Sequence, residues 1–138
     1  LRQGGFVSKV LQWARQQKIM RIVDDQIANP TWARMLAEAT SHVIAQGRWE
    51  AVDYLKEVAG LYHLAGGGAA SRYEWAKAII EMDPMRKEHI VKQLLPSKSN
   101  EFPTPANRPR DNRLCMSLVH STLNIYITDW KDQLRKLW

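Results

Sequence analysis

Residues 19–36 read IMRIVDDQIANPTWARML, and this stretch predicts a strand, a polar loop and a helix in succession. Residues 19–23 are mostly apolar and rich in β-branched side chains, which favours a buried strand. The Asn-Pro pair that follows disfavours helix, because proline restricts both its own backbone and that of the preceding residue. Thr31 is then expected to cap a helix that ends near Gln46, before Gly47. Ligands tend to bind beyond the carboxyl ends of strands, so we expect the functional site in this loop.

The composition indicates one globular domain with a basic surface. The chain has 138 residues, with 20 lysines and arginines against 14 acidic residues and a net charge of +6. This length is enough for one core. The positive charge favours an anionic partner such as a nucleotide, nucleic acid or a membrane surface, although a solvated basic surface is an equal alternative. Nucleic acid is the weakest of these, because no basic helix is interleaved with aromatic residues.

Targeting and redox features are few. No apolar run is long enough to cross a bilayer, and no signal peptide is recognisable. The single cysteine, Cys115, excludes an internal disulfide, which favours a reducing, cytoplasmic setting. The chain begins at Leu1 rather than at methionine, so we expect a fragment or a processed product.

Several further elements are predicted along the chain. Ser71 and Glu74 have the spacing of a helix capping box, and Asp129 is placed to cap a last helix. Residues 97–112 contain three closely spaced prolines and should be irregular and extended. The fold class is therefore α/β: a small mixed domain with few short strands and about five helices. The remaining predicted elements are a helix over residues 2–17, strands over 60–65 and 89–95, and a helix over 117–123.

Four patterns resemble catalytic or ligand-binding motifs, and each has a structural alternative. The glycines at 66–68 resemble a phosphate cradle, but they lack the frame of a dinucleotide fingerprint, so a tight turn is favoured. Tyr73 and Lys77 match Tyr-x-x-x-Lys, yet no Ser or Thr precedes them at the usual distance, and we interpret the match as coincidental. His63 is expected to be a hydrogen-bonded core residue, and Cys115 a small, partly buried side chain. The histidines show no metal-ligand spacing.

The adjacent acids Asp24 and Asp25 are a separate case. Either could bind a metal or act as a base. Because neighbouring side chains on a strand point to opposite faces, at most one of them is expected to face the cleft.

Four segments, VDDQIANPTWARMLA, GLYHLAGGGAASRYEWAKAI, EFPTPANRP and TDWKDQLRKLW, occur in an order that resembles the carboxyl-terminal part of the dTDP-4-dehydrorhamnose reductase (RmlD-like) family. Members of this family are extended short-chain dehydrogenases that reduce a 4-keto nucleotide sugar with NADPH, in dTDP-rhamnose biosynthesis. The resemblance implies that residues 1–138 form a single substrate-binding domain. It also implies that the cofactor loop and the catalytic Tyr-x-x-x-Lys belong to a Rossmann domain preceding this chain.

The resemblance further implies which residues bind the substrate, a dTDP-sugar. Gln26, Pro30 and Thr31 would lie on the sugar-nucleotide side of a cleft, and Arg108 would face the diphosphate across it. Guanidinium groups pair naturally with phosphate oxygens, whereas a solvated basic loop is the alternative for Arg108. No catalytic residue, cofactor-binding residue or metal ligand is expected in this chain. NADPH is expected only in the complete enzyme.

Some positions depart from the family pattern. Gly5 stands where an asparagine is usual, Met35 replaces an aspartate, and Asn112 and Cys115 replace a serine and an aspartate. Each change removes or alters a hydrogen-bonding group. A second hypothesis is therefore a non-catalytic binding or regulatory module that keeps the family fold, as the regulatory subunit of methionine adenosyltransferase does. Without a cofactor domain, an apolar face should be exposed, and either self-association into a homo-oligomer or marginal stability is expected.

Overall fold

The structure, a computed structural model, describes residues 4–138 and combines six α-helices with four short strands in that part of the chain. Short 3₁₀ turns at Arg48–Glu50, Arg86–Glu88 and Ser99–Glu101 connect some of them. The helices and strands, in chain order, are α1 (Phe6–Gln16), β1 (Ile19–Val23), β2 (Ile27–Ala28), α2 (Ala33–Gln46), α3 (Ala51–Glu57), β3 (Ala70–Ser71), α4 (Arg72–Met82), β4 (Gln93–Ser97), α5 (Ser117–Leu123) and α6 (Trp130–Arg135).

The strands form two small sheets. β1 pairs with β4 in parallel, from Ile19 opposite Gln93 to Val23 opposite Ser97. β2 pairs with β3 in antiparallel fashion, and its Ile27 also forms an isolated parallel bridge to Asp111. Because β1 and β4 run the same way, the loops that follow them leave from the same edge of the sheet. That edge is called the carboxyl edge below.

Two apolar clusters form the core. In the larger cluster, α1 and α4 pack on the inner face of the parallel sheet, and Val10, Met20 and Ile79 are completely or almost completely buried. The apolar residues of α1 recur at helical spacing, so they form one stripe that faces α4. The smaller cluster joins α2 to α5, with Met35 and Val119 among its buried residues.

The sequence predicted most helices correctly. Ser71 accepts a hydrogen bond from the Glu74 amide at 3.1 Å and the Glu74 carboxylate accepts one from Ser71 at 2.7 Å, which confirms the capping box of α4. Asp129 caps α6, and the helix predicted over 117–123 is present. The first helix begins at Phe6 rather than at residue 2; residues 2 and 3 lie outside the described part.

Two predicted features are wrong, and a third is displaced along the chain. Residues 60–65 form no strand; they are irregular and Leu61 is 86% exposed, because no neighbouring segment pairs with them. The strand expected at 89–95 lies at Gln93–Ser97 and includes Pro96, which this two-stranded sheet tolerates because each strand has a free edge. Thr31 is not a helix cap: the N-cap of α2 is Trp32, with no side-chain capping bond.

The outer face of the parallel sheet carries exposed apolar side chains. Ile19 is 54% exposed and Leu95 is 40% exposed. We call these two residues the outer sheet face. In the described part of the chain, no helix combines the length and the apolar character needed to cross a membrane.

Candidate functional site

The carboxyl edge is held together by two acids that follow β1. Asp25 Oδ1 accepts hydrogen bonds from the Ser99 amide at 2.9 Å and from the Ser99 hydroxyl at 2.6 Å. Asp24 pairs with Lys98 Nζ at 2.8 Å. The Ser99 hydroxyl lowers the pKa of Asp25, and the Asp24 carboxylate raises the pKa of Lys98. Both acids thus bind the segment after β4, Asp24 through Lys98 and Asp25 through Ser99.

Gln26 is fixed between two neighbours at this edge. Its Nε2 donates to Ser99 Oγ at 2.9 Å, and its Oε1 accepts a hydrogen bond from Arg72 Nε at 3.3 Å. Arg72 is the first residue of α4, and its guanidinium carbon lies 5.5 Å from the centre of the Phe6 ring. The amide orientation is therefore set by the protein before any ligand binds.

The proline-rich loop reaches this edge through backbone pairing with β2. The Ile27 amide donates to the Arg110 carbonyl at 2.8 Å, and the Asn112 amide donates to the Ile27 carbonyl at 2.9 Å. This pairing brings Arg108 and Gln26 to one open groove of about 610 Å³, which we call the basic groove. It is lined by Gln26, Ser99, Asn100 and residues 102–110.

The charge of the basic groove is only partly balanced. Neither Arg108 nor Arg110 forms a salt bridge with a described residue, whereas Arg113 pairs with Asp111 at 2.6 Å. That pairing lowers the pKa of Asp111 to about 2. The positive charge of Arg110 also lowers the pKa values of Asp25 and Lys98, but this contribution is smaller than that of their hydrogen bonds. The groove therefore offers free guanidinium groups to an anion.

A second groove adjoins the first. It measures about 660 Å³, and its lining includes Phe6, Trp13, Arg21, Arg72 and Phe102. We call it the aromatic groove. Phe102 lines both grooves, so they meet beside the Arg72–Gln26 hydrogen bond. An aromatic surface next to a cationic one is able to bind a ligand that joins a ring to an anion.

The structure separates Pro30 and Thr31 from the other two residues implied by the resemblance. Thr31 Oγ1 donates to the Asn29 carbonyl at 2.8 Å and accepts from the Gly66 amide at 3.0 Å. Both Pro30 and Thr31 line a small apolar cavity with Trp75, apart from the basic groove. Their contacts hold the loop against the glycine turn, while Gln26 and Arg108 share a groove.

The glycine turn is packed against backbone and does not form an open cradle. A Cβ at Gly66 would lie 1.9 Å from the Pro30 carbonyl oxygen, and one at Gly67 would lie 2.7 Å from the Thr128 oxygen. Gly68 has a φ of +74°, which favours glycine. Amides of the turn already donate to Thr31 and Thr128. The interpretation as a tight turn is therefore supported.

The other motif residues are either packed against the core or exposed to solvent. Tyr73 donates its hydroxyl proton to the Leu94 carbonyl at 3.4 Å and packs on the core, so its match to a catalytic pair is coincidental. His63 and Cys115 are exposed, contrary to the expectation that both are at least partly buried. The Ser117 hydroxyl lowers the pKa of Cys115. No group of three metal-ligating side chains occurs within residues 4–138.

Sequence reasoning missed Asn29, Ser99 and Arg72. Asn29 donates to the Gly68 carbonyl at 2.6 Å and to the Gly66 carbonyl at 3.3 Å, and it accepts from the Leu114 amide at 2.8 Å. From the sequence alone, the Asn-Pro pair indicates only a break in helical structure. Arg72 could have been suspected from its place directly after a helix cap, but its contact with Gln26 joins positions 46 residues apart.

Comparison with known proteins agrees with this architecture. The family model described as "RmlD substrate binding domain" matches residues 2–138, and the chain therefore belongs to this family. A dTDP-4-dehydrorhamnose reductase from Escherichia coli is 31% identical over 135 residues, which cover 96% of this chain and 42% of that protein. The chain thus spans less than half the length of this relative.

Solved structures show the same fold. A dTDP-4-dehydrorhamnose reductase from Bacillus anthracis, in complex with NADP, superposes with a TM-score of 0.78 at 21% identity and covers 99% of this chain and 43% of its own. The reductase from Clostridium acetobutylicum gives a TM-score of 0.78 at 25% identity, covering 99% and 44%. The fold class predicted from the sequence, a small mixed α/β domain resembling the substrate-binding part of these enzymes, is confirmed.

Proposed function

We propose that this chain is the substrate-binding domain of a dTDP-4-dehydrorhamnose reductase-type enzyme and that it binds a dTDP-sugar in the basic groove. Arg108 would pair with the diphosphate, and Gln26 would offer its amide to the sugar-nucleotide. Pro30 and Thr31 would act indirectly, by holding the loop that carries Gln26. The proposal also treats residues 1–138 as one single substrate-binding domain.

The observation that carries the proposal is the meeting of Gln26 and Arg108 in one groove. These residues are 82 positions apart, and the family resemblance implies that both bind substrate. The groove joins a fixed amide to guanidinium groups that have no carboxylate partner among the described residues. That combination suits a phosphate ester with hydrogen-bonding groups beside it.

Cofactor binding is assigned by this proposal to a preceding Rossmann domain. NADPH would supply the hydride in the complete enzyme, as the NADP complex of the Bacillus anthracis relative suggests. The glycine turn at residues 66–68 does not fit a dinucleotide cradle, because Gly66 and Gly67 are packed against backbone and leave no room there for a pyrophosphate. The purified chain, given NADPH and a 4-keto dTDP-sugar, is expected to leave NADPH unoxidised. Oxidation of NADPH by the chain alone would contradict the assignment of cofactor binding to a preceding Rossmann domain.

Calorimetric titration of the purified chain with dTDP and dTDP-sugars tests the proposal. Binding in the micromolar range is expected, and Arg108→Ala should weaken it about 10- to 100-fold, because a hydrogen bond to a charged group contributes roughly 1.5–3 kcal/mol. Arg34→Ala is the matched control: Arg34 is exposed on α2, pairs with Glu38 and lies outside both grooves. The control removes the same charge and should bind as the wild type does.

Absence of binding by the wild-type chain would refute the proposal. It would favour the second hypothesis, a non-catalytic module that keeps the family fold. The cytoplasmic location expected from the sequence remains a prediction.

A further inference from the structure

Arg72 is a cation without an anionic partner. Its guanidinium is partly buried, and no described carboxylate lies within salt-bridge distance of it. Its Nε donates a hydrogen bond to Gln26 Oε1, and its guanidinium lies over the Phe6 ring. No described residue accepts a hydrogen bond from its two Nη groups. Four donor hydrogens on a fixed side chain are therefore available at the junction of the two grooves.

This arrangement is unfavourable in the absence of a ligand. Burial lowers the pKa of Arg72, and the positive charge of Arg108 lowers it further. Two like charges in electrostatic range repel each other, and partial burial reduces the screening by water. Arg15 and Arg113 avoid this cost, because Arg15 pairs with Asp83 at 3.0 Å and Arg113 pairs with Asp111. A ligand with more than one negative charge would relieve the repulsion.

The location of Arg72 also suits a ligand that spans both grooves. Arg72 lines the aromatic groove, and through Gln26 it contacts the basic groove that holds Arg108. Because α4 begins at Arg72 with a complete capping box, its backbone is held by a regular helix rather than by a free loop. The stacking on Phe6 further restricts the side chain, so little conformational entropy remains to be lost on binding.

We propose that Arg72 is a second anion-binding residue of this site and that, together with Arg108, it makes the site selective for a diphosphate over a monophosphate. This inference rests on the proposed function, since it concerns the junction of the basic groove with the aromatic groove and the same class of ligand. It adds a residue that the resemblance did not name, and it attributes ligand selectivity to the pair of guanidinium groups.

Titration with dTDP, dTMP and inorganic pyrophosphate tests the inference. Arg72→Met keeps an unbranched apolar chain over Phe6 but removes the charge and the donors. It should weaken dTDP and pyrophosphate binding about 10- to 100-fold and affect dTMP much less. The ratio of the dTMP and dTDP dissociation constants should therefore fall. Arg72→Lys restores the charge and should recover part of this ratio, while Arg34→Met is the charge-matched control and should leave it unchanged.

The ratio separates ligand binding from a purely structural role. Both nucleotides are titrated into the same folded variant, so a general loss of stability moves both dissociation constants alike. Thermal melting followed by circular dichroism shows whether each variant is folded. If Arg72→Met does not fold, Arg72→Lys serves in its place, because an ammonium cannot form the bidentate contact of a guanidinium and should also lower the ratio.

Each remaining outcome decides between the two proposals. An unchanged ratio in the Arg72 variants, with dTDP binding still weakened by Arg108→Ala, overturns the inference and leaves the proposed function standing. If pyrophosphate binding depends on Arg72 but dTDP binds no more tightly than pyrophosphate, the anion site is supported. The proposal that the ligand is a nucleotide is then overturned. A wild-type chain that binds none of the three probes overturns both.

Discussion

Asn29 is predicted to control both the stability of the domain and the position of the proline-rich loop that lines the basic groove. Its side chain joins three segments: the glycine turn at Gly66 and Gly68, its own loop, and the segment that follows the basic groove at Leu114. Asn29→Ala removes two short hydrogen bonds, of 2.6 and 2.8 Å, and one longer bond of 3.3 Å. It should therefore destabilise the domain more than an ordinary surface substitution does.

The expected loss follows from the number of bonds. A typical intramolecular hydrogen bond contributes roughly 0.5–1.5 kcal/mol, so two good bonds and one weak bond amount to about 2–3 kcal/mol. For a domain of this size each kcal/mol lowers Tm by roughly 3–5 °C, which gives a decrease of about 6–15 °C. Urea unfolding monitored by tryptophan fluorescence measures the free energy, and calorimetry measures Tm.

A second substitution identifies which bonds matter. Asn29→Asp keeps an acceptor for the Leu114 amide but places a carboxylate oxygen near the Gly68 carbonyl, so it should be at least as destabilising as alanine. In hydrogen exchange, the Leu114 amide should lose more protection relative to the core in Asn29→Ala than in Asn29→Asp. The control is Asn100→Ala, because Asn100 is exposed and makes no side-chain hydrogen bond to a described residue. A loss below about 0.5 kcal/mol in Asn29→Ala, or an aspartate variant as stable as the wild type, would refute this reasoning.

Three further predictions concern packing, charge and assembly. Gly66→Ala should cost more than about 3 kcal/mol or prevent folding, because its Cβ would overlap the Pro30 oxygen. In the control Gly5→Ala nothing lies within 4 Å of the new carbon, so the free energy of unfolding in urea should change little. Equal losses of unfolding free energy in the two variants would show that the glycine turn can adapt to a side chain. Arg113 lowers the pKa of Asp111 to about 2, so the stabilising contribution of Asp111 is complete above pH 4 and is lost as the pH falls towards 2. Asp111→Asn should flatten this part of the curve of unfolding free energy against pH. Identical curves for the wild type and the variant would contradict the pairing. The outer sheet face should cause concentration-dependent self-association in sedimentation experiments, which lysine in place of its apolar residues should abolish; a monomer at all concentrations would argue against it.

The sequence by itself determined where α4 and α6 begin. The capping box at Ser71 and Glu74 and the cap at Asp129 depend on residues within one turn of each other, so local chemistry was enough to place α4 and α6. The segment Ile19–Val23 carried its own strand signal. Four ordered motifs further indicated the family, which the match over residues 2–138 confirms.

Tertiary structure decided the composition of the groove and which apolar segments became strands. Residues 60–65 have the composition of a strand, yet nothing pairs with them, whereas Pro96 lies within a strand because β1 lies alongside it. Arg108 meets Gln26 because Ile27 pairs with Arg110, and Arg72 contacts Gln26 because β2 lies beside β3. Pairing between distant segments depends on the whole fold, and no local pattern of residues encodes it.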